Sequence, residues 1–400
     1  MFRLFIFVTF IAATSNSLAQ SVRWSEGEHL ELGTEGLLWA CKSLQIPASE
    51  CPGRKISRND RKFQYHYGEV LTAADYYNNP KEFFTDRKYM LPRVLKCAYK
   101  QKARHASQQY SDVKYPECNS VGLAGLRDYI YVVSHNYNHF GWNNMISYVE
   151  IHGRALDFAL QAHRLAKTDP VQSKKLLNLA LGYNAFADHY LTDAFASGHI
   201  RIPRLQIKSW ADGKLPGLFG ATRGDLLTMY LHDFESLNLR TRKEEGLKVQ
   251  NSRGDRWETR GDGNLFLLVA PNDPGILLPK LAVAESVREV LLAWKFGETP
   301  DGIYAATEYV PFSRDLSLVE KLSPRYQHVK RNQDVAQLIL FSVPIFDRLL
   351  FSTRDFTKML DQLSSIFRTF QRDIARAQRD QPELHKRLPA RYLQAYLDVD

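Results

Sequence analysis

Three side chains in the stretch ADHYLTDAFASGHIRIPR, residues 187–204, are of the kinds that hold metal ions: His189, Asp193 and His199. On a helix, residues four apart lie on one face, so His189 and Asp193 point the same way. The stretch Ala194 to Gly198 supplies small residues and a glycine. It suits a helix end and lets His199 turn back toward the same space. Imidazole and carboxylate together are good zinc ligands, and an i, i+4 pair with a distal third ligand builds an open metal site. The competing reading is a core helix whose histidines are buried and hydrogen-bonded. The triplet alone does not separate the two.

Further residues of the same chemical types are dispersed along the chain, each beside an aromatic residue. His29 closes WSEGEH, which begins at Trp24. Asp75 lies in LTAADYY, His139 in NYNHFGW and His232 in YLHDFES, with acids at Asp233 and Glu235. This ordered set resembles the zinc-dependent phospholipase C / single-strand nuclease superfamily. There the chain order is Trp, His, Asp, His, then H-x3-D-x5-H, then His followed by an acid. His189, Asp193 and His199 match the H-x3-D-x5-H element residue for residue. AADY around Asp75, His139-Phe140 and the Trp24-x4-His29 spacing match other elements of the pattern. TDAFASGHIRIPR and the LHD…RGDRW…GDG stretch are most similar to a secreted Gram-negative branch of phospholipases C. The resemblance covers roughly residues 24 to 265.

The resemblance implies an all-α, multi-helix bundle that binds three zinc ions. His139, His189 and Asp193 would hold one zinc, with Asp75 nearby as a ligand or as the general base. His199, His232 and a following acid would hold a second. The acid expected four residues after His232 is replaced by Ser236, which makes Glu235, one residue earlier, the expected ligand, ahead of Asp233. His29, a bridging Asp193 and the backbone of Trp24 would hold the third. That last role requires Trp24 to become the mature N-terminus, and a cleavage before Gln20 leaves QSVR ahead of it. His135 is the alternative to His139, which its Phe neighbour favours. His152 and His163 read as helix-surface or outer groups, and His66, His105, His328 and His385 have no metal-like company. The implied reaction is attack of water on a phosphodiester by a cation cluster that neutralises its oxygens and lowers the pKa of a bound water. The implied substrate is a glycerophospholipid at a membrane surface, phosphatidylcholine favoured, giving diacylglycerol and a phosphorylated headgroup. The alternatives are a single-strand nuclease or 3′-nucleotidase, whose aromatic clamps the many tyrosines would supply, and a non-catalytic exported metal-binding protein. Nucleic acid is the less favoured partner.

These residues need helices to position them, and the sequence supplies helical patterns. Residues 143–166 and 173–195 carry apolar side chains at helical spacing, with the short turn KTDPVQ between them, and so predict an antiparallel helical hairpin. Residues 276–296 form another helix, with Pro279 near its start. Residues 355–376 place Phe356, Met359, Leu360, Leu363, Phe367, Phe370 and Ile374 on one stripe, read as core-facing. Two regions read as departures from helix. Residues 76–127 are rich in Lys, Tyr, Pro, Gln and Ser and read as a long inserted loop. Residues 238–265 read as a small β-hairpin insertion, with Arg253-Gly254-Asp255 in a turn. The resulting organisation is a catalytic domain over 20–269 and a helical C-terminal region over 270–400 that completes the bundle or is accessory to it.

Composition fits this plan. Of 400 residues, 44% are apolar and 24% charged, an ordinary globular balance with enough apolar material for a large core. The formal net charge of +9 suits polyanionic partners without choosing among them. Residues 1–19 have a basic start, a short apolar run and small residues before Gln20, the pattern of a secretory signal. No later run is long enough to span a membrane. The four cysteines, Cys41, Cys51, Cys97 and Cys118, are even in number and lack C-x-x-C spacing. In an exported chain they predict two disulfides in one of three pairings, Cys41 with Cys51 being closest in sequence.

Overall fold

The computed structural model describes residues 26–58, 63–85, 91–107, 135–215, 220–236, 247–262, 265, 272–313, 336–337, 339–340 and 351–397. The chain is predominantly helical. In order, the elements are α1 (Glu26–Ser43), β1 (Ile56–Ser57), β2 (Gln64–Tyr65), α2 (Tyr67–Ala73), α3 (Pro80–Thr85) and α4 (Leu91–Ser107). Then come α5 (Trp142–Leu165), α6 (Pro170–Asp193), α7 (Ser197–Ile200), α8 (Arg204–Lys214), α9 (Gly220–Ser236), β3 (Leu247–Gln250) and β4 (Arg256–Thr259). The last are α10 (Pro274–Phe296), β5 (Phe312–Ser313), α11 (Thr353–Asp361), α12 (Leu363–Asp380), α13 (Pro382–His385) and α14 (Ala390–Ala395). Three 3₁₀ turns, Ala74–Tyr76, Asn136–His139 and Ala305–Tyr309, punctuate the helices.

The long helices start where local chemistry says they should. Asp169 accepts a hydrogen bond from Gln172 N, and Pro170 occupies the first turn of α6. Asp273 and Pro274 do the same for α10, which ends at Gly297 in the left-handed region. α5 and α6 form the antiparallel hairpin that their spacing predicts. Ser173 Oγ donates to Ala162 O near the turn, and His152 meets Asn184 further along both helices. α10 packs on α1, α5 and α6. Apolar residues from across the chain, among them Leu37, Met145, Phe186, Val287, Phe370 and Tyr392, form one continuous buried cluster. Its burial from water is the main driving force that holds the helices together.

Two expectations need correction. Residues 91–107, read as part of a non-helical excursion, form α4. Leu91, Val94, Leu95 and Ala98 are buried and fall on one helical stripe, while Lys, Arg and Gln take the other faces. The polar composition hid a genuine amphipathic period. The stripe over 355–376 is also split. α11 stops at Gln362 (φ −101°, ψ 0°), and α12 begins just after it. All seven stripe residues are nonetheless buried, so the core-facing assignment of the stripe stands.

The β-hairpin lies where the turn signals place it. β3 and β4 pair antiparallel, and β5 adds on the other side of β3, giving the order β4-β3-β5. Gly254 takes φ +96°, open to glycine, within the Arg253-Gly254-Asp255 turn. Asn251 and Asp255 close the turn with side-chain hydrogen bonds. Cys41 and Cys51 form a disulfide. Cys97 is also disulfide-bonded, and Cys118 lies outside the described residues, as do residues 1–19 and Trp24. Among the described residues no helix is long and apolar enough to cross a membrane.

Candidate metal centre

Seven dispersed side chains of the sequence pattern converge at one end of the bundle. His29 comes from the first turn of α1, Asp75 from the 3₁₀ turn after α2, and His139 from the turn before α5. His189 and Asp193 occupy the last turn of α6, His199 the short α7, and His232 the last turns of α9. An eighth residue, Asp262, enters from the segment after β4. Their donor atoms form three groups, each with its atoms within 4.8 Å of one another: His29, His189 and Asp193; Asp75, His139 and His189; and His199, His232 and Asp262. His189 belongs to two groups, and Asp193 also meets His139, Nδ1 to Oδ2 at 2.7 Å.

The helical spacing does what the sequence implies. His189 Nε2 lies 3.5 Å from Asp193 Oδ2 and 3.2 Å from Asp75 Oδ1. His29 Nε2 lies 3.4 Å from Asp193 Oδ1. In the third group, His232 Nε2 is 2.8 Å and His199 Nε2 is 3.2 Å from Asp262 Oδ2. The two Nε2 atoms are themselves 3.1 Å apart.

Hydrogen bonds from the far side of two rings decide which nitrogen faces the cluster. Thr192 Oγ1 donates to the helix carbonyls of Asp188 and His189, so its oxygen must accept from His29 Nδ1 at 2.9 Å. The His29 Nε2 lone pair then faces Asp193. His199 Nδ1 donates to the His139 carbonyl at 2.7 Å, which leaves Nε2 toward His232 and Asp262. Partners of this kind fix the tautomer and ring orientation of metal-binding histidines. Phe140 stacks on the His199 ring at 4.4 Å and 19°, and the Arg204 guanidinium lies 5.1 Å over the other aromatic ring, Phe140. Gly141 takes φ +55°, where an added Cβ would lie 3.1 Å from Phe370 Cζ. This turn lets the chain pass directly from His139 into α5.

The electrostatics suit a cation. Burial pushes the His29 imidazole down to about 3, with the neighbouring His189 adding to the effect. Burial likewise holds His139 well below its usual range and lowers His199. These rings are therefore neutral lone-pair donors, the form a metal requires. Burial raises the Asp193 carboxyl well above the usual carboxylate range, and the charges of Asp75 and Asp262 raise it further. Asp262 is also pushed up by burial, but His199 and His232 beside it more than offset this and hold it low. Among the described residues, two buried oxygens, Asp75 Oδ2 and Asp193 Oδ1, have no hydrogen-bond partner, the latter having only the His29 ring at 3.4 Å. Three carboxylates among buried neutral imidazoles, with two unpartnered oxygens, form a donor set that a divalent cation would satisfy. The oxygen and nitrogen ligands are those of zinc and its first-row neighbours.

The expected acid beside His232 is the main difference from the sequence reading. Asp262 fills that place, from 30 residues further along the chain. The side chain of Glu235 lies outside the described residues. The signal for Asp262 was present in the GDG stretch of residues 261–263, but no helical spacing tied it to His232. His139, not His135, enters the cluster: His139 is buried and His135 is exposed. His152 is not a surface group. It is fully buried between Asn184 and Glu289, in a network that continues through Ser286 and Tyr67 to Asp188. His66 caps α2, His163 meets the Trp294 carbonyl, and His385 stacks on Trp142.

A short segment ties the groups together. Thr259 donates to the Phe195 carbonyl, and Ser197 N donates to the Arg260 carbonyl at 2.9 Å. Asp262 then meets His199 and His232, and Leu265 N donates to Glu28, the neighbour of His29, at 2.7 Å. No protein-family model, curated protein or solved structure matches this chain.

Proposed function

We propose that this protein is a secreted zinc-dependent phosphodiester hydrolase that acts as a phospholipase C on glycerophospholipids, with phosphatidylcholine the favoured substrate. The observation that carries the reading is the convergence of His29, Asp75, His139, His189, Asp193, His199, His232 and Asp262 into three adjoining donor groups. One isolated group would suit a structural ion. Groups joined through the Asp193 carboxylate, whose Oδ1 faces His29 and whose Oδ2 faces His139, suit a multi-cation centre, as used for anionic esters. When bound, the ions supply charge neutralisation for the phosphodiester and a water of lowered pKa.

The chain's own residues then have separable tasks. Asp193 and Asp262, set between histidines, would hold cations. Asp75 Oδ2, buried and without a hydrogen bond among the described residues, would accept the proton of the attacking water. Thr192 and the His139 carbonyl hold His29 and His199 in the ring orientations that present Nε2. The net charge of +9 favours approach to anionic lipid surfaces, and the Cys41–Cys51 disulfide suits an oxidising compartment.

The test is metal analysis of the purified chain together with release of phosphocholine from phosphatidylcholine. The expected result is bound zinc, activity abolished by chelation and activity restored by added zinc. Metal-free protein with no restored activity would overturn the reading. A second reading within the same chemistry, a single-strand nuclease, draws on Tyr137, which is 42% exposed two residues before His139. Cleavage of single-stranded DNA without cleavage of lipid micelles would favour it.

A further inference from the structure

We infer that aromatic side chains of the C-terminal helices form a floor that positions His199, and that the Tyr396 hydroxyl is its specific polar contact. This rests on the metal reading of the His199, His232 and Asp262 group. Tyr396 is thus a positioning residue that sets the metal affinity of that group.

The two ligands nearest the floor sit on elements too short to hold themselves. His139 ends a 3₁₀ turn of 4 residues, and His199 lies in α7, also 4 residues long. Such short pieces are not stable without tertiary support. The two pieces brace each other, since His199 Nδ1 donates to the His139 carbonyl at 2.7 Å and Gly141 N donates to the His199 carbonyl at 2.6 Å. The braced pair must still rest on something.

It rests on the C-terminal region. Phe370 of α12 lies against Gly141, where an added Cβ would come within 3.1 Å of the ring's Cζ, closer than ordinary contact. Trp142, which begins α5, stacks on His385 at 5.1 Å and on Tyr392 at 5.9 Å, and meets Tyr396 edge-on. Tyr396 also packs edge-on against Phe370. From this buried position its hydroxyl donates to the Ile200 carbonyl at 2.7 Å, one residue after His199. The rings fill space, which any apolar group of similar shape would do. The hydroxyl does more, because it fixes the height of the α7 carbonyl and with it the His199 ring. Gln206 Nε2 to Asp373 Oδ2, at 3.0 Å, ties α8 to α12 nearby but does not touch the ligand segment.

The experiment uses the full chain with Tyr396→Phe, which keeps the ring and removes the hydroxyl. Bound metal is measured by titration against a chromogenic chelator, and the Co²⁺-substituted protein is followed by its visible spectrum. The expected result is about tenfold or greater weakening of one metal equivalent, the scale of lost outer hydrogen bonds. The other equivalents should stay unchanged, the metal-free variant should stay folded with a modest loss of stability from the Ile200 carbonyl left without its donor, and the Co²⁺ band of the affected equivalent should shift. Unchanged affinity and spectrum would overturn the inference. So would binding that falls only in step with loss of fold, or equal weakening in Gln206→Ala, which would mark a general loosening. A wild-type chain that binds no metal would instead overturn the metal reading itself, and the inference with it.

Discussion

Asp262, Glu235 and, behind it, Asp233 are the acids with a claim on a cation proposed between His199 and His232. Asp262 Oδ2 lies within 3.2 Å of both Nε2 atoms. Its removal leaves the two Nε2 atoms, 3.1 Å apart, without the one carboxylate that meets both. Asp262→Asn is therefore expected to lose one metal equivalent on dialysis, read by elemental analysis, with affinity down by a factor on the order of 10–100 or more. The same measurement on Glu235→Gln decides between the acids, since loss confined to that variant would return the role to Glu235. Asp188 makes a different prediction. Burial raises its carboxyl to about 7, from an ordinary 3.8, with Ser286 and Tyr67 donating to it. Between those values the folded chain keeps a proton that the unfolded chain releases. Its contribution is thus present at low pH and lost as pH rises through about 7. Urea unfolding of the metal-free wild type and Asp188→Asn at pH 5 and pH 8 should show this as a difference in pH slope. The wild type should lose on the order of a few kcal/mol relative to the variant on going to pH 8. Equal slopes would remove Asp188 as the source.

At the scale of elements, the site depends on how chain segments end more than on how they run. α6 stops at Asp193, α7 starts within four residues, and Gly141 turns the chain from His139 into α5. Gly141→Ala combines a positive φ with a Cβ 3.1 Å from Phe370 Cζ. It should cost about 1–3 kcal/mol in chemical denaturation, and a value near zero would show that the turn can relax. The long elements were legible in the sequence. The periods over 143–166, 173–195 and 276–296, with Asp-Pro starts at Asp169 and Asp273, lead directly to α5, α6 and α10. α4 was not legible as a helix because its apolar stripe is narrow and its other faces are crowded with Lys, Arg and Gln. The break at Gln362 was hidden for the opposite reason, since the stripe continues across it. His189 and Asp193 could be placed together from one helical turn, whereas Asp262 could not. Its approach depends on strand pairing and on the Thr259 and Arg260 contacts, none of which leaves a spacing signal near His232.

At the scale of the molecule, the donor groups join parts of the chain that are far apart in sequence. α1 brings His29, α6 brings His189 and Asp193, and the segment after β4 brings Asp262. The C-terminal helices share the same buried cluster as α5 and α6, so they are part of the frame that supports these groups. One consequence concerns which changes of length the hairpin insertion can absorb. Its turn, Arg253 to Arg256, is exposed, and extra residues there would project into solvent without moving either strand. The four residues from Thr259 to Asp262 have no such latitude. They are pinned at Phe195 and Ser197 on one side and reach His199 and His232 on the other. Deleting a single residue there would draw the carboxylate back by about 3.3 Å, the rise of one extended residue. Relatives that vary in length should therefore do so at the tip of the hairpin and keep a fixed count between its second strand and the acid.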